Sequence, residues 1–568
     1  MPHGGRPSRP GPTRPRAGAR LALSGFLVAA ALAGLGGCDY GRGTCGCQPS
    51  EACVGGRCLA VSPLPNGDYV DPRATPVDCG PYTLVDGGLN PGAPASDPGC
   101  ALAPRDSALP PVAPGTPHGW IDLGVHAVDG PPVTFTVPPG TLSLTVIEQA
   151  VSALPTITLP QPQPPDLVLD NVAVPLTLVD PSGATVYDDR QPAPADGSGL
   201  PLFFASGAAG TGTLAFPDTS AGLAALAAAW GAGGDGVAPG IWSLQPGDWA
   251  LECWLDAHQD PPPAQPLCDA ASASSAGTYR VFVLTAPAAA PGAASAVPPK
   301  GTLDVAFHLL GALDAGGAAP LLAADAVADP HVGRLVASYA ALLANAGLCL
   351  GTATFYDEPA WAVIRFATGT ADTGPGPCAT LPQALSLSVA GARTLELFLV
   401  PRIGLPDPAT GQTVVGIDGT VPGPATVNGT VASGAVVSAA DLFFEKAPGA
   451  CPAGGAPLAL AGCGADLVAY IAAHESGHFL GLYHPTEADG AAFDPLADTP
   501  HCECAPACGH VAGSCAAGML ASDCLQGRPQ CSGGGNLMFW IVQPSVSQGF
   551  LSPEQGEVAR LGPLPRFP

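Results

Sequence analysis

The sequence has few charged residues for its length, and basic residues are the scarcest of them. Only 12% of its 568 residues are Asp, Glu, Lys or Arg, and 20 basic side chains stand against 46 acidic ones, for a formal net charge of −26. Such an acidic surface repels nucleic-acid phosphates and anionic lipid head groups. The charge balance therefore argues against nucleic-acid binding and against electrostatic docking on a membrane.

Strongly apolar stretches are also short, and the one nearest the start has a distinctive setting. Five arginines and no acid precede residue 21, residues 21–34 are apolar, and a Leu-Gly-Gly triplet precedes Cys38. The apolar stretch is shorter than the roughly 20 residues that a membrane-spanning helix needs, and this order of segments is typical of a signal peptide. The residues before Cys38 resemble a bacterial lipobox, which implies cleavage after residue 37 and lipidation of Cys38. We expect a protein held at the bacterial cell envelope by its lipid anchor only; secretion without an anchor is the alternative.

Glycine and proline, by contrast, are abundant, with 75 and 68 residues. Disorder is one interpretation of such a composition. The apolar fraction of 47% and the mean hydropathy of +0.29 favour a folded, loop-rich protein, because enough apolar surface is present to offset the entropy of ordering the chain. At roughly 100 to 200 residues per domain, the length indicates about three structural units.

The 19 cysteines suggest an oxidising compartment, since an even number remains when Cys38 is set aside for lipidation. Spacing gives four candidate disulfides, whereas pairing within a group of four and a group of six stays open. The candidate pairs are Cys79–Cys100, Cys253–Cys268, Cys349–Cys378 and Cys451–Cys463; the four are Cys45, Cys47, Cys53 and Cys58; the six are Cys502, Cys504, Cys508, Cys515, Cys524 and Cys531.

Residue patterns divide the first half of the chain into segments. A signal peptide over 1–37 is followed by a Cys-, Pro- and Gly-rich tether over 38–115, and a Pro- and Ala-rich linker covers 286–300. Between them, residues 116–285 hold short β-favouring runs separated by turn sequences, which predicts an accessory β-sandwich. The predicted strands are 133–137, 142–147, 167–169, 174–179, 249–254 and 279–284.

Residues 301–568 have the pattern of an α/β domain. Apolar residues recur at helical spacing over 328–346. Strands are predicted at 303–310, 352–356, 362–366 and 394–400. The expected fold is multidomain, with an all-β sandwich followed by this α/β domain.

The clearest chemistry lies in residues 474–484, which read HESGHFLGLYH. On a predicted helix over 467–480, His474 and His478 are four residues apart and share one face. Both imidazoles can therefore bind one Zn²⁺ at about 2.0 to 2.1 Å. Glu475 follows on the same surface, where its carboxylate can take a proton from water at the metal.

The end of this helix can supply a third ligand. Gly481 is free to adopt the positive φ that ends a helix, so that the chain turns sharply and His484 returns to the other two histidines. Three protein ligands leave the fourth position of zinc open, which is the catalytic arrangement. Satisfied core histidines, or a zinc site without activity, are the alternative interpretations.

A family resemblance follows from these residues. HExxHxxGxxH followed by a methionine turn is the signature of the metzincin metallopeptidases, and the NLMFW segment around Met538 resembles that turn. The chain most resembles the pappalysin-like branch, through HFLGLYH, the Asp-Thr-Pro triplet at Asp498 and the cysteine-rich stretch. The resemblance covers residues 301–568 and implies a metzincin-like fold, zinc bound by the three histidines, and peptide hydrolysis with Glu475 as general base.

The sequence departs from related enzymes at Trp540, where a tyrosine often stands. An indole neither ionises nor ligates zinc, so a phenolate role from this position is in doubt. The resemblance also implies that residues 431–444 supply the edge strand that pairs with a peptide substrate.

Other polar residues near the site are open to two interpretations. Asp494, Asp498 and Thr499 are oxygen-rich, as in the loops that bind Ca²⁺ in some relatives, or are ordinary turn residues. The segment around His501 and His510 could form a second, structural zinc site with neighbouring cysteines, but an exported protein favours disulfides.

The sequence therefore predicts an extracytoplasmic zinc endopeptidase that acts on a peptide or protein substrate through metal-activated water. The competing hypothesis is a surface adhesin or binding lipoprotein whose zinc site is structural or inactive. The presence of Glu475 separates the two, because a purely structural site does not need this carboxylate.

Overall fold

The structure is a computed structural model that describes part of the chain. The described residues are 51–54, 57–60, 73–99, 119–151, 156–159, 167–189, 204–217, 222, 236–258, 277–287, 297–312, 317, 319–366, 380–389, 393–404, 414–452, 454–455, 457–496, 498–511, 515, 518–528 and 530–567. The predicted signal peptide and Cys38 lie outside these residues.

The described strands are numbered in chain order. They are β1 Glu51–Val54, β2 Arg57–Ala60, β3 Thr83–Leu89, β4 Gly119–Ala127, β5 Val133–Val137, β6 Thr141–Ala150, β7 Thr156–Leu159, β8 Leu167–Asp170, β9 Val172–Ala173, β10 Thr177–Val179, β11 Thr185–Asp188, β12 Phe204–Ala209, β13 Thr211–Phe216, β14 Gly240–Gln245, β15 Thr278–Pro287, β16 Gly301–Leu309, β17 Leu348–Asp357, β18 Leu395–Val400, β19 Gly416–Asp418 and β20 Ala435–Ser438.

The described helices are numbered in the same way. They are α1 Trp249–His258, α2 Ala323–Ala326, α3 Pro330–Asn345, α4 Ala360–Phe366, α5 Thr380–Leu385, α6 Gly464–Phe479 and α7 Pro553–Leu561, with short 3-10 turns at Pro506–Cys508 and Ala521–Cys524.

The first layer of the fold is a pair of antiparallel sheets. One has the strand order β11-β10-β14-β5 and the other β4-β15-β6-β13-β12-β9. Side chains from both sheets form a single buried core, in which Trp242 of β14 contacts Phe216 of β13 edge to face. Alternation sets the two faces, since Val133, Phe135 and Val137 are buried and the residues between them are exposed.

The second layer is a six-stranded sheet with the order β19-β20-β18-β16-β17-β3. Its pairings are parallel except for β19, which runs antiparallel to β20. Helices α3 and α6 pack on one face over a core that includes Phe307 and Phe355, and α4 and α5 pack on the other face around Phe398. The chain is thus a mixed α/β, multidomain-like structure, and the parallel strands are apolar because both faces are covered.

Two of the predicted strands are wrong. The segment 249–254 lies in α1, because the Asp248 carboxylate accepts the N–H of Leu251 at 2.7 Å and so starts a helix. The segment 362–366 lies in α4, which begins directly after Pro359, a residue suited to a helix start. Short apolar runs do not distinguish a strand from a buried helix by periodicity alone.

The tether prediction also needs correction over residues 73–99. There β3 adds to the six-stranded sheet beside β17, and Cys79 forms a disulfide with Cys349 across 270 residues. The candidate pairs Cys79–Cys100 and Cys349–Cys378 are therefore wrong, since spacing along the chain does not report neighbours in space.

The other described cysteines agree better with the pairs predicted from their spacing. The predicted pair Cys451–Cys463 is present, and Cys253 is disulfide-bonded, although its predicted partner lies outside the described residues. Five disulfides join described residues, which indicates an extracytoplasmic protein. Within the described residues, no helix has both the length and the apolar character needed to cross a membrane.

The edge strand beside the histidine-bearing helix is not where the sequence placed it. Within residues 431–444, the strand β20 lies between β18 and β19, so it is internal to the sheet. The antiparallel edge strand is β19, which precedes that segment. A strand of three residues, one of them Gly, gives too short a pattern to be recognised from sequence.

Candidate metal centre

Helix α6 contains His474 and His478, and nearly all of its residues are buried. It starts three residues before the predicted segment 467–480. A buried ion pair fixes its first turn, since Arg334 of α3 donates from Nε to Asp466 Oδ1 at 2.6 Å and from Nη2 to Oδ2 at 2.8 Å. The helix therefore holds the two histidines on a scaffold with little freedom to move.

The turn after α6 brings the third histidine back. Gly481 has a φ of 103°, and its N–H donates to the carbonyl of His478 at 2.8 Å. His478 Nε2 then lies 3.2 Å from His474 Nε2 and 3.1 Å from His484 Nε2. The three predicted ligands thus meet at one point, and they form one of the groups of described side chains that could hold a metal ion.

The opposite ring nitrogens determine what these Nε2 atoms can do. His474 Nδ1 faces the Leu537 carbonyl oxygen at 2.8 Å, and His478 Nδ1 faces that of Leu482 at 2.7 Å. Carbonyl oxygens only accept hydrogen bonds, so each Nδ1 carries the proton and each Nε2 of the neutral rings presents a lone pair. His484 follows the same rule, since its Nδ1 lies 3.2 Å from the Glu487 carboxylate.

Three lone pairs at this separation repel one another unless a cation lies between them. Ligand atoms about 2.0 to 2.1 Å from a tetrahedral metal are about 3.3 Å apart, close to the observed spacing. Burial, followed by the neighbouring charge of His484, lowers the pKa of His474 to about 3, and burial also lowers that of His478. The rings of His474 and His478 are therefore neutral at physiological pH, the form in which imidazole binds metals.

The predicted general base, Glu475, is buried against the edge strand β19. A Cβ atom added to Gly416 would lie 2.2 Å from Glu475 Oε1, so only glycine allows this approach. The N–H of Asp418 donates to the carboxylate, while burial and the charge of Asp418 raise the pKa of Glu475 well above its usual value. The edge strand therefore sets the position of Glu475.

Asp418 is a second buried carboxyl group at the centre that the sequence did not reveal. It is 3% exposed, and its Oδ2 has no hydrogen-bond partner among the described residues. Burial raises its pKa to about 7, and the charge of His484 opposes the rise. A lone Asp in a short glycine-flanked strand carries no signal that could have identified it.

Glu487 is a further residue of the centre, and it lies outside the sequence motif. It accepts from His484 and orients that ring, as carboxylates commonly do for metal-binding histidines. Its position three residues after the third histidine is the signal that could have indicated it.

Met538 lies directly beneath the histidine helix. It is completely buried, and a Cβ atom added to Gly477 of α6 would lie 2.3 Å from its sulfur. The preceding carbonyl, that of Leu537, also accepts the hydroxyl of Tyr470 at 2.8 Å. The turn containing Met538 thus supports both the floor of the centre and the orientation of His474.

Trp540 does not share the supporting role of Met538. Its indole N–H donates to the Met519 carbonyl at 2.8 Å, and its ring lies against Gly518. The side chain therefore anchors the cysteine-rich segment, which agrees with the doubt raised about a tyrosine-like function at this position.

The three residues predicted to bind calcium contact the first turn of α7 and the residue before it. Asp498 Oδ2 accepts the N–H of Glu554 at 2.9 Å, Asp494 Oδ2 accepts from Gln555 at 3.3 Å, and the hydroxyl of Thr499 is 3.1 Å from Ser552. These protein contacts tie the segment to the last helix. Asp494 and Asp498 are not among the described groups whose ligand atoms converge within 4.8 Å, so calcium stays a prediction.

The alternative of a second, structural zinc site is wrong. Its cysteines are all oxidised, in the disulfides Cys502–Cys524, Cys504–Cys515 and Cys508–Cys531. A disulfide sulfur is not a thiolate and does not serve as a zinc ligand. His501 instead pairs with Glu503 at 3.4 Å.

No protein-family model and no curated protein matches the chain.

Proposed function

We propose that this protein is a zinc-dependent endopeptidase of the metzincin type, which hydrolyses peptide bonds outside the cytoplasm. The single observation that carries the proposal is the convergence of three imidazole nitrogens, with His478 Nε2 3.2 Å from His474 Nε2 and 3.1 Å from His484 Nε2, on a helix that also carries the buried Glu475. Nitrogen-only coordination by three histidines suits zinc, and three protein ligands leave a position for substrate and water. The pattern HExxHxxGxxH with Met538 beneath the helix supports the metzincin assignment.

The proposed mechanism assigns each part of the chain a separate task. His474, His478 and His484 would hold the zinc ion, which would supply polarisation of the scissile carbonyl and a lowered pKa for the attacking water. Glu475 accepts the proton of the attacking water at a carboxylate oxygen and passes it to the departing amine. The N–H of Asp418 keeps that carboxylate in place during both transfers.

The same strand offers a place for the substrate. Among the described strands, β19 ends the sheet order, and its backbone adjoins Glu475 at Gly416. An extended peptide can add to a sheet edge through main-chain hydrogen bonds. We place the substrate along β19, so that its scissile bond lies beside Glu475.

The test compares the native chain with Glu475→Gln in fully oxidised, processed protein. Metal analysis should find zinc in both, whereas cleavage of casein or a peptide library should fall by a factor of about 10² to 10⁴ or more in the variant. Asp489→Asn, which removes an exposed carboxylate near the third histidine, is the matched control and should cleave normally. Unchanged turnover in Glu475→Gln, or no chelator-sensitive cleavage by the native protein, rejects the proposal.

We also propose that the protein is attached to the bacterial cell envelope through lipidated Cys38. The sequence before this residue resembles a lipobox, and the disulfides agree with export. Cys38→Ala should abolish labelling with radioactive palmitate and release the protein from the membrane fraction. Retention of the label in that variant contradicts the anchor.

A further inference from the structure

A loop of the α/β domain joins the two strands nearest the candidate metal centre. It covers residues 419–434, between β19 and β20. The N–H of Gly423 donates to the Phe479 carbonyl at 2.8 Å, and the hydroxyl of Tyr483 donates to the Val421 carbonyl at 3.2 Å. The loop is therefore bonded to the last turn of α6 and to the residue before His484.

The tip of this loop lies against the β-sandwich. Val427 is completely buried in a cluster with Ile147 of β6 and with Phe282 and Leu284 of β15. Ile147 and Phe282 are direct partners in adjacent strands, and Trp120 covers Phe282 with ring centroids 4.8 Å apart. Along β6 and β15, these side chains alternate with those that form the sandwich core. They therefore make an apolar patch on the outer face of the sheet, and the loop packs on this patch.

The backbone at the tip of the loop is strained at one residue. Among the described residues, one non-glycine residue has a positive φ. It is Thr426, which precedes Val427 and has a φ of 66°. A β-branched residue adopts this conformation at a cost, and such strain persists only where the surroundings impose it. The residues on both sides of Thr426, Ala425 and Val427, are buried, so packed side chains fix the backbone here, those of the sandwich among them.

A second contact holds the two layers together beside the first. Leu142 of the sandwich packs with Val297 and with Leu561 of α7, and the hydroxyl of Ser143 donates to the Leu561 carbonyl at 2.8 Å. Between the two contacts lies a cavity of about 20 Å³, lined in part by Phe479, Leu480 and Gly481. The sandwich therefore reaches the same turn of chain that returns His484 to the centre.

We infer that the β-sandwich acts as a buttress for the metal centre, and that Phe282 and Val427 are positioning residues for Glu475. The cluster that contains both side chains supports the 419–434 loop, the loop continues directly from β19, and β19 positions the Glu475 carboxylate through Asp418 and Gly416. This role deepens the proposed peptidase function and rests on it. It differs from that of a spacer, whose removal would leave the loop unchanged.

The experiment compares Phe282→Ala with Phe135→Ala in the full chain. Phe135 is equally apolar and lies in the sandwich core, in a cluster that contains no residue of the loop. Both variants lose packing within the sandwich, but only the first removes the support of Val427. Val427→Ala tests the same contact from the side of the loop.

Hydrogen exchange decides the inference without any assay of activity. In Phe282→Ala and Val427→Ala, amides of residues 416–434 should exchange faster than in the native chain, whereas in Phe135→Ala they should not. Equal exchange in Phe282→Ala and Phe135→Ala overturns the inference. If the native chain hydrolyses no peptide, the proposed function fails, and the exchange result still decides whether the buttress exists.

Kinetics and metal content then separate positioning from simple loss of stability. At a temperature where each variant is folded, kcat of Phe282→Ala should fall by about tenfold to a hundredfold. Zinc content should be unchanged, because the groups that orient the three rings, the Leu537 and Leu482 carbonyls and the Glu487 carboxylate, lie outside the loop. Phe282→Leu, which keeps an apolar side chain in contact with Val427, should restore most of kcat, and a Phe282→Leu variant as slow as Phe282→Ala counts against the inference.

Discussion

His474 donates its Nδ1 hydrogen to the carbonyl oxygen of Leu537, a residue 63 positions later in the chain, over 2.8 Å. This bond fixes which ring nitrogen is free, and so it aims the Nε2 lone pair at the other two histidines. Tyr470 donates to the same oxygen, which holds the carbonyl in place from a second side. The chain beyond the histidine motif thus determines whether the motif can bind a metal.

The carboxylate behind the third histidine gives the first prediction. Glu487→Gln should lower zinc affinity by about tenfold to a hundredfold, because the amide is a weaker partner for the His484 Nδ1 hydrogen. Competition with a chelator of known affinity measures the change. The matched control is Glu503→Gln, which alters a similar contact with His501 at 3.4 Å, away from the centre. Equal zinc affinity in the two variants would show that Glu487 does not tune the site.

The histidine centre could be predicted from sequence because its geometry is local. His474 and His478 are four positions apart, about one helical turn, and Gly481 signals the turn that returns His484. The central strands β16 and β18 are also close to their predicted positions, since both are mostly apolar segments in a sheet covered on two faces.

The parts that could not be predicted depend on contacts between distant residues. Cys79 and Cys349 become neighbours only once β3 has paired with β17, and no spacing rule anticipates a separation of 270 residues. Asp418 acquires its position from the pairing of β19 with β20. Such pairings are tertiary events, for which a single sequence carries no periodic signal.

The ion pair beneath α6 gives the second prediction. Asp466→Asn leaves Arg334 as a buried charge without its partner, so the free energy of unfolding should fall by about 3 to 5 kcal/mol. Asp122→Asn is the control, since its pair with Arg280 is partly exposed and should change stability by about 1 kcal/mol or less. Urea denaturation followed by circular dichroism measures both. A loss of less than about 1 kcal/mol in Asp466→Asn would mean that water reaches Arg334.

A buried histidine on the other face of the sheet gives the third prediction. His308 Nδ1 lies 2.6 Å from Glu358, and its Nε2 lies 2.6 Å from Glu396. Burial alone lowers the pKa of His308, but the two carboxylates outweigh burial and raise it to about 9. Asn90 also donates to Glu358, at 2.7 Å, so the group ties the N-terminal segment to the sheet.

The sign of the pH dependence follows from this raised pKa. The folded protein binds the His308 proton more tightly than the unfolded chain does, whose histidine has a pKa of about 6.5. The stabilisation, on the order of 3 kcal/mol, is complete below pH 6.5, declines as the pH rises and is lost above about pH 9. The melting temperature should therefore fall across this window, and His308→Gln should flatten the fall. His126→Gln is the control, and a native-like slope in His308→Gln would contradict the assignment.

The contact between Gly477 and Met538 gives the last prediction. Alanine is a better helix former than glycine by about 1 kcal/mol, so Gly→Ala within a helix normally stabilises. At Gly477 the added Cβ would lie 2.3 Å from the Met538 sulfur, which is fully buried and cannot move into solvent. Overpacking of this kind costs about 1 to 3 kcal/mol, which outweighs the gain in helix propensity.

A second helical glycine provides the matched control for this substitution. A Cβ atom at Gly333 of α3 meets nothing within 4 Å, so Gly333→Ala should raise the melting temperature while Gly477→Ala lowers it. Gly477→Ala should also weaken zinc binding, because displacing Met538 moves the adjoining Leu537 carbonyl away from His474. Thermal denaturation and zinc titration of the two variants check both effects. If Gly477→Ala proves as stable and as zinc-competent as Gly333→Ala, then the methionine does not support the histidine helix.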